Sequence, residues 1–173
     1  MKRITFPPLV ILILAAIIAT TSTSAAVVPE HGPSALGAGL FRFRNPRTAR
    51  LETWRFSFEA LANKNGQTRG RAQFDNLNAQ TQVVVRINCL SIDTSFMNVT
   101  LATMTGRILH SNDPDLPKTE KVIFAASDGP FLPFSSSDTI TPLFLFPFAE
   151  HDCHDTQPLT ILPVEEGDIE IQP

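Results

Sequence analysis

The chain has 173 residues, 43% of them hydrophobic, and its 14 Lys+Arg against 17 Asp+Glu give a net charge of −3, so it can build the core of one ordinary domain but would be cramped as two. That charge argues against a general nucleic-acid binder, which needs a basic surface to neutralise phosphates. With 13 Phe, one Trp and no Tyr, the aromatic residues read as core filling rather than as a sugar-binding surface, where rings with a polar tip are favoured.

Lys2 and Arg3 precede the unbroken apolar run Leu9–Ala19, and Ser24, Ala25 and Ala26 offer small residues to a peptidase; the pattern predicts a signal helix over 1–26, cut after Ala26. The run is shorter than the roughly 20 residues that span a bilayer, so no stable membrane anchor is expected after cleavage. A lipid anchor would need a cysteine at the cut, and the first cysteine is Cys89. The expected destination is therefore periplasmic or secreted. Residues 27–39, rich in Pro, Gly and Ala, read as an extended leader, and 40–173 as a single β domain.

From Leu40 the pattern alternates with a period of two. Phe41 and Phe43 predict a short strand ending at Asn45-Pro46, and Trp54, Phe56, Phe58 and Ala60, set against Arg55, Ser57 and Glu59, predict a half-buried second strand. Asn65-Gly66 and Gly70 signal a tight turn to a returning strand, Arg71–Asp75, with Ala72 and Phe74 inward. After a turn at Asn76–Asn78, the long strand Thr81–Ile92 is expected to place Val83, Val85, Ile87 and Cys89 on one face. Phe96–Leu109 follows, with Gly106 marking a bulge or bend. Ser111–Pro117 is a loop by composition, and Glu120–Ala126 is a strand closed by Asp128-Gly129-Pro130. Pro133, Pro142 and Pro147 forbid a helix in the apolar stretch 130–148, leaving one strand at Thr139–Phe146. A last short strand, Leu159–Leu162, is expected before the pattern fades in the acidic tail. Seven or eight short strands without a helical period make the domain all-β, an antiparallel sandwich or barrel.

Two cysteines in an exported chain predict one disulfide, Cys89–Cys153; a redox-active pair would usually lie close together, as in Cys-x-x-Cys. The arginines crowd the first half and the acids the end. The plain reading is that the two ends of one domain pair or simply solvate, and the functional alternative is an anion-facing arginine patch toward a polysaccharide or lipid head group. His151 and His154, flanked by Glu150, Asp152 and Asp155, are candidate ligands for a divalent transition ion, against the reading of a solvated turn anchored by the disulfide. Asn112, Asp113 and Asp115 lack the full spacing of a calcium loop and read as turn residues. Ser135, Ser136 and Ser137 lie outside any Gly-x-Ser-x-Gly context, and His110 reads as a surface residue at a strand end. The motifs call for no cofactor.

Several of these stretches together carry a resemblance. Phe56-Ser57-Phe58-Glu59-Ala60, Asn65-Gly66, Gly70-Arg71-Ala72-Gln73-Phe74, Val83–Ile92 and Lys121–Gly129 resemble a group of exported bacterial proteins of unknown function. In that group a strand closes on Cys-Leu, a Gly-x-Ile strand follows, and a second cysteine lies near the end; Cys89-Leu90, Gly106-Arg107-Ile108 and Cys153 match. Ser127-Asp128-Gly129 followed by Asp138-Thr139-Ile140 departs slightly from the group's Asp-Asn-Gly and Pro-containing, Asp-led strand. The resemblance implies an all-β fold, export and the disulfide, and it brings no activity or ligand. The expected function is a non-enzymatic binding or cell-envelope interaction module. The alternatives are a carrier of a small apolar ligand in a Phe-lined barrel interior and, third, a hydrolase or metalloprotein using His151 and His154.

Overall fold

A sequence of alternating inward and outward residues must bury one face of every strand, and in this chain the sheet does so by closing on itself. The computed structural model describes residues 32–95, 99–129, 137–145, 153–154 and 160–173; the predicted signal peptide and the start of the leader lie outside them. Nine strands follow in order: β1 (Ser34–Arg44), β2 (Leu51–Ala62), β3 (Thr68–Asn76), β4 (Thr81–Asp93), β5 (Thr100–Ser111), β6 (Lys121–Asp128), β7 (Thr139–Ile140), β8 (Phe144–Leu145) and β9 (Leu162–Gln172). All pairings are antiparallel, and eight strands run β1-β2-β3-β4-β5-β6-β7-β9 and back to β1, while β8 pairs further along β6. The architecture is a closed barrel with one extra strand, which resolves the choice between sandwich and barrel.

Inward-facing side chains fill the barrel's middle. Phe41, Phe56, Phe58, Phe74 and Phe124 form a continuous chain of rings, with centroids 6.1, 6.0, 5.8 and 5.2 Å apart along it, and Ile87, Met104, Val83, Val85 and Ile140 pack around them. An eight-stranded barrel is just wide enough for such filling. Outward positions carry Arg55, Glu59, Arg71, Arg86, Arg107, Asp168 and Glu170, all exposed. Leu36, Leu61 and Leu109 are exposed on the same outer wall, so its polarity is mixed. Among the described residues no helix is long and apolar enough to cross a membrane.

Four sequence expectations are corrected here. The leader ends earlier than Gly39, because Ser34–Gly39 already pair with both β2 and β9, and Ala35 is wholly buried. Small residues hid this strand: a Cβ on Gly37 would come within 2.8 Å of the Phe58 ring and 2.9 Å of Ile169, so the small side chains of β1 make room for large ones opposite. Second, Cys89 does not share the face of Val83, Val85 and Ile87. The β4–β5 register shifts between Ile87 and Cys89, opposite Gly106, and after that bulge Leu90 takes the inward position. Third, the strand expected at Thr139–Phe146 is two short pieces, β7 and β8, separated around Pro142; there Thr141 replaces ladder bonds by donating its N–H to the Ala125 carbonyl and accepting the Ala125 N–H on its hydroxyl. Fourth, the tail does not fade. β9 is an 11-residue strand whose inward residues Val164, Ile169 and Ile171 change phase at a register shift opposite Leu40 and Phe41, which masked the alternation.

Closure is weakest where β7 supplies only two pairs to β9, Thr139↔Pro163 and Ile140↔Leu162. Asp138 extends it: one carboxylate oxygen accepts the Gly129 N–H at 2.8 Å and the other the Ile169 N–H at 2.7 Å, while its carbonyl accepts the Val164 N–H. One side chain thus ties the end of β6 to β9.

Candidate functional site

The inward phase of β2 runs Ala60, Phe58, Phe56, Trp54 and then Glu52, so the last inward residue before the β1–β2 turn is a carboxylate, buried to 9% exposure. Asn76, at 4% exposure, is the corresponding last inward residue of β3, paired with Trp54 across the ladder. The end of the barrel where these residues meet is open as a pocket of 480 Å³. Its walls come from β1 and β2 (Phe41, Phe43, Trp54), the 112–117 loop (Leu116) and the segment bearing β8 (Leu143, Phe144), and Glu52 and Asn76 also face it. A concave, mostly apolar site with a few convergent polar groups is the usual form of a small-molecule pocket.

The polar groups are fixed by the turns beside them. Asn76 accepts the N–H groups of Asn78 and Ala79 on its Oδ1, which shapes the β3–β4 turn and leaves its Nδ2 to donate to Glu52 Oε2 at 2.8 Å. Asn45 does the same in the β1–β2 turn, accepting from the N–H of Arg47 and Thr48 and donating from Nδ2 to Glu52 Oε1 at 3.0 Å. Trp54 Nε1 adds a longer donation to Oε2 at 3.3 Å. The carboxylate is thus held by three neutral donors, and two oxygens with about four lone-pair sites retain room for one more. At the rim, the Arg47–Asp115 ion pair joins the β1–β2 turn to the 112–117 loop, and Thr81 donates its hydroxyl to Asp113 at 3.1 Å.

The sequence pattern singles out Phe41, Phe43, Trp54 and Phe144 of the wall but not Leu116 or Leu143, and it does not mark Glu52, Asn45 or Asn76 as site residues. The signal was present, because the alternation that put Trp54 and Phe56 inward, carried two residues back, also puts Glu52 inward, and the phase of Phe74 reaches Asn76. The carrier reading puts a small apolar ligand in a Phe-lined barrel interior. The middle of that interior is filled by the five-phenylalanine chain, and a pocket stays open at this mouth.

The other candidate residues lie elsewhere. Cys89 and Cys153 form a disulfide on the outer wall, with Cα atoms 5.7 Å apart and Cys153 almost wholly buried. The exposed His154 has a ring nitrogen within 4.8 Å of both sulfurs, but those sulfurs are committed to each other. His151, Ser135 and Ser136 fall outside the described residues, and His110 is exposed on β5. Asp113 acts as a turn residue, accepting the Asp115 N–H, whereas Asn112 accepts the Gln82 N–H of β4 across the sheet. No family model matches the chain, and neither a curated protein nor a solved structure does.

Proposed function

We propose that this is an exported, disulfide-stapled barrel that binds rather than catalyses, and that its ligand is a small, largely apolar molecule bearing one hydrogen-bond donor or amine. The observation that carries the reading is the 480 Å³ mouth pocket, in which aromatic and aliphatic walls surround a buried carboxylate. The walls favour apolar surface, the Glu52 oxygens accept from a donor on the ligand, and the faces of Trp54 and Phe43 suit a cationic head. Three neutral partners on Glu52 serve recognition by holding an acceptor in place. Export is supported by the amino-terminal pattern and by the disulfide, which is consistent with an extracellular or periplasmic compartment. Membership of the exported bacterial group whose motifs the chain resembles belongs to the same proposal.

Trp54 is the single tryptophan of a chain without tyrosine, so intrinsic emission reports directly on this pocket. Titration with alkyl- and arylamines, the matching alcohols and the matching hydrocarbons should give a saturable change for the donors, abolished by Leu143→Asp at the wall. Absence of saturable binding for every probe would overturn the pocket reading. Turnover of an ester, glycoside or phosphate substrate that disappears in Glu52→Gln would overturn the non-enzymatic one.

A further inference from the structure

Arginines scattered through the sequence are brought into one line by the register of the sheet. Glu59 on β2 pairs with Arg71 on β3, Arg71 with Arg86 on β4, Arg86 with Arg107 on β5, and Arg107 with Lys121 on β6. Arg71, Arg86 and Arg107 are all exposed on the outer wall. With neighbouring strands about 4.8 Å apart, three guanidinium groups stand side by side across about 10 Å. Like charges directly opposite one another destabilise a sheet. None of the three relieves this by an ion pair among the described residues, where Arg42 pairs with Glu165 and Arg47 with Asp115. The acids collect on the far side: β4 and β9 are diametrically opposed in the closed order, and β9 exposes Glu165, Glu166, Asp168 and Glu170.

We propose that the Arg71–Arg86–Arg107 row is a docking line for a linear anionic polysaccharide. A row of unpaired guanidinium groups matches a chain of carboxylate or sulfate groups by charge and by the fork geometry that takes two oxygens at once. Beside the row, the exposed Asn88 on β4 offers neutral hydrogen bonds suited to sugar hydroxyls, while Gln73 on β3 donates its Nε2 to the Asp75 carboxylate and keeps its amide oxygen as an acceptor. The wall of a closed barrel is convex, so a flat membrane would meet the row only along a narrow strip, whereas a flexible polymer follows the curve across the strands. The row lies on the side wall and the mouth pocket at one end, so docking there is independent of the small-ligand reading.

The test is binding of the purified protein to heparin and to polygalacturonate over a series of salt concentrations. Vesicles of phosphatidylglycerol and phosphatidylcholine serve as the lipid arm, and sedimentation at low salt reads self-association. Wild type should bind the polysaccharides with an affinity that falls steeply with salt, as counterion release requires. Single Arg71→Gln, Arg86→Gln and Arg107→Gln variants should each lose about fivefold, the effect of one basic residue at an anionic surface. The triple variant should lose binding while melting at the same or a higher temperature, since it removes like-charge pairs, and Arg44→Gln, away from the row, should bind as wild type does. Polysaccharide binding retained by the triple variant would overturn the proposal. So would absence of polysaccharide binding by wild type, whether it binds nothing, binds only vesicles, or shows only a low-salt self-association that the triple variant loses.

Discussion

Glu52 occupies a position where hydrophobic alternation calls for an apolar side chain, and the protein keeps it there by surrounding the carboxylate with Asn45, Asn76 and Trp54 donors. Glu52→Leu would suit the inward phase but leave those donors without their acceptor, so a loss of about 1–3 kcal/mol is expected in urea unfolding, with Glu52→Gln intermediate because it retains one acceptor oxygen. A Leu variant as stable as wild type would show that the three donors reach water at the mouth. The difference between this residue and the phenylalanines explains its poor legibility: an inward Phe announces itself by hydrophobicity, whereas an inward Glu is recognised only once its neighbours in space are known. A second residue-scale expectation concerns Asp93, at the end of β4. The Ser95 hydroxyl and then the Ser95 N–H hold its carboxyl below the ordinary value of 3.8. The folded value is the lower one, so the associated stabilisation is present above 3.8 and is lost as pH falls through the folded value. NMR titration should place the Asp93 midpoint below 3.8, and Ser95→Ala should move it upward.

At the scale of elements, strands with an uninterrupted alternation were legible from sequence: β2 and β3 emerge with their inward residues as expected, joined by the Asn65-Gly66 turn. Those that escaped are the ones whose phase is broken or whose inward residues are small. β4 changes face at its bulge, β9 changes phase beside Leu40 and Phe41, and β1 begins with Ala and Gly because Phe58 occupies the space they leave. A period of two can be read only while the pairing has no extra residue. The two-residue β7 is the weak link in this closure, and Asp138 compensates for its length by accepting the N–H groups of Gly129 and Ile169. Asp138→Ala leaves both without that acceptor and should cost about 1–3 kcal/mol. The effect should also be local: hydrogen exchange should accelerate in β7 and β9 well before β2 and β3, and uniform acceleration across all strands would contradict this account.

For the whole molecule, closure depends on a pairing between chain segments far apart in sequence, β1 with β9, which no local pattern encodes; the same strands in the same order could have made a sandwich. Because the hydrogen-bonded ladder already closes the barrel, the Cys89–Cys153 bond is not needed to define the fold, and its contribution falls on the unfolded chain. A cross-link spanning 64 residues removes loop-closure entropy worth about 4 kcal/mol in the chain-entropy account. That is a large share of the roughly 5–15 kcal/mol by which a domain is stable. The paired variant Cys89→Ser/Cys153→Ser, or the reduced wild type, should therefore unfold at a markedly lower urea concentration while keeping a native β-sheet circular dichroism spectrum and the Trp54 emission of the folded pocket. An unchanged unfolding midpoint would mean that the unfolded chain gains little freedom from losing the cross-link. Loss of sheet structure in the absence of denaturant would mean that the outer wall around Cys153, rather than the ladder, sustains the barrel. The expected result, a weakened but intact barrel, follows from a core chain of five phenylalanines, in stacked, tilted and edge-on contact, that does not include the disulfide.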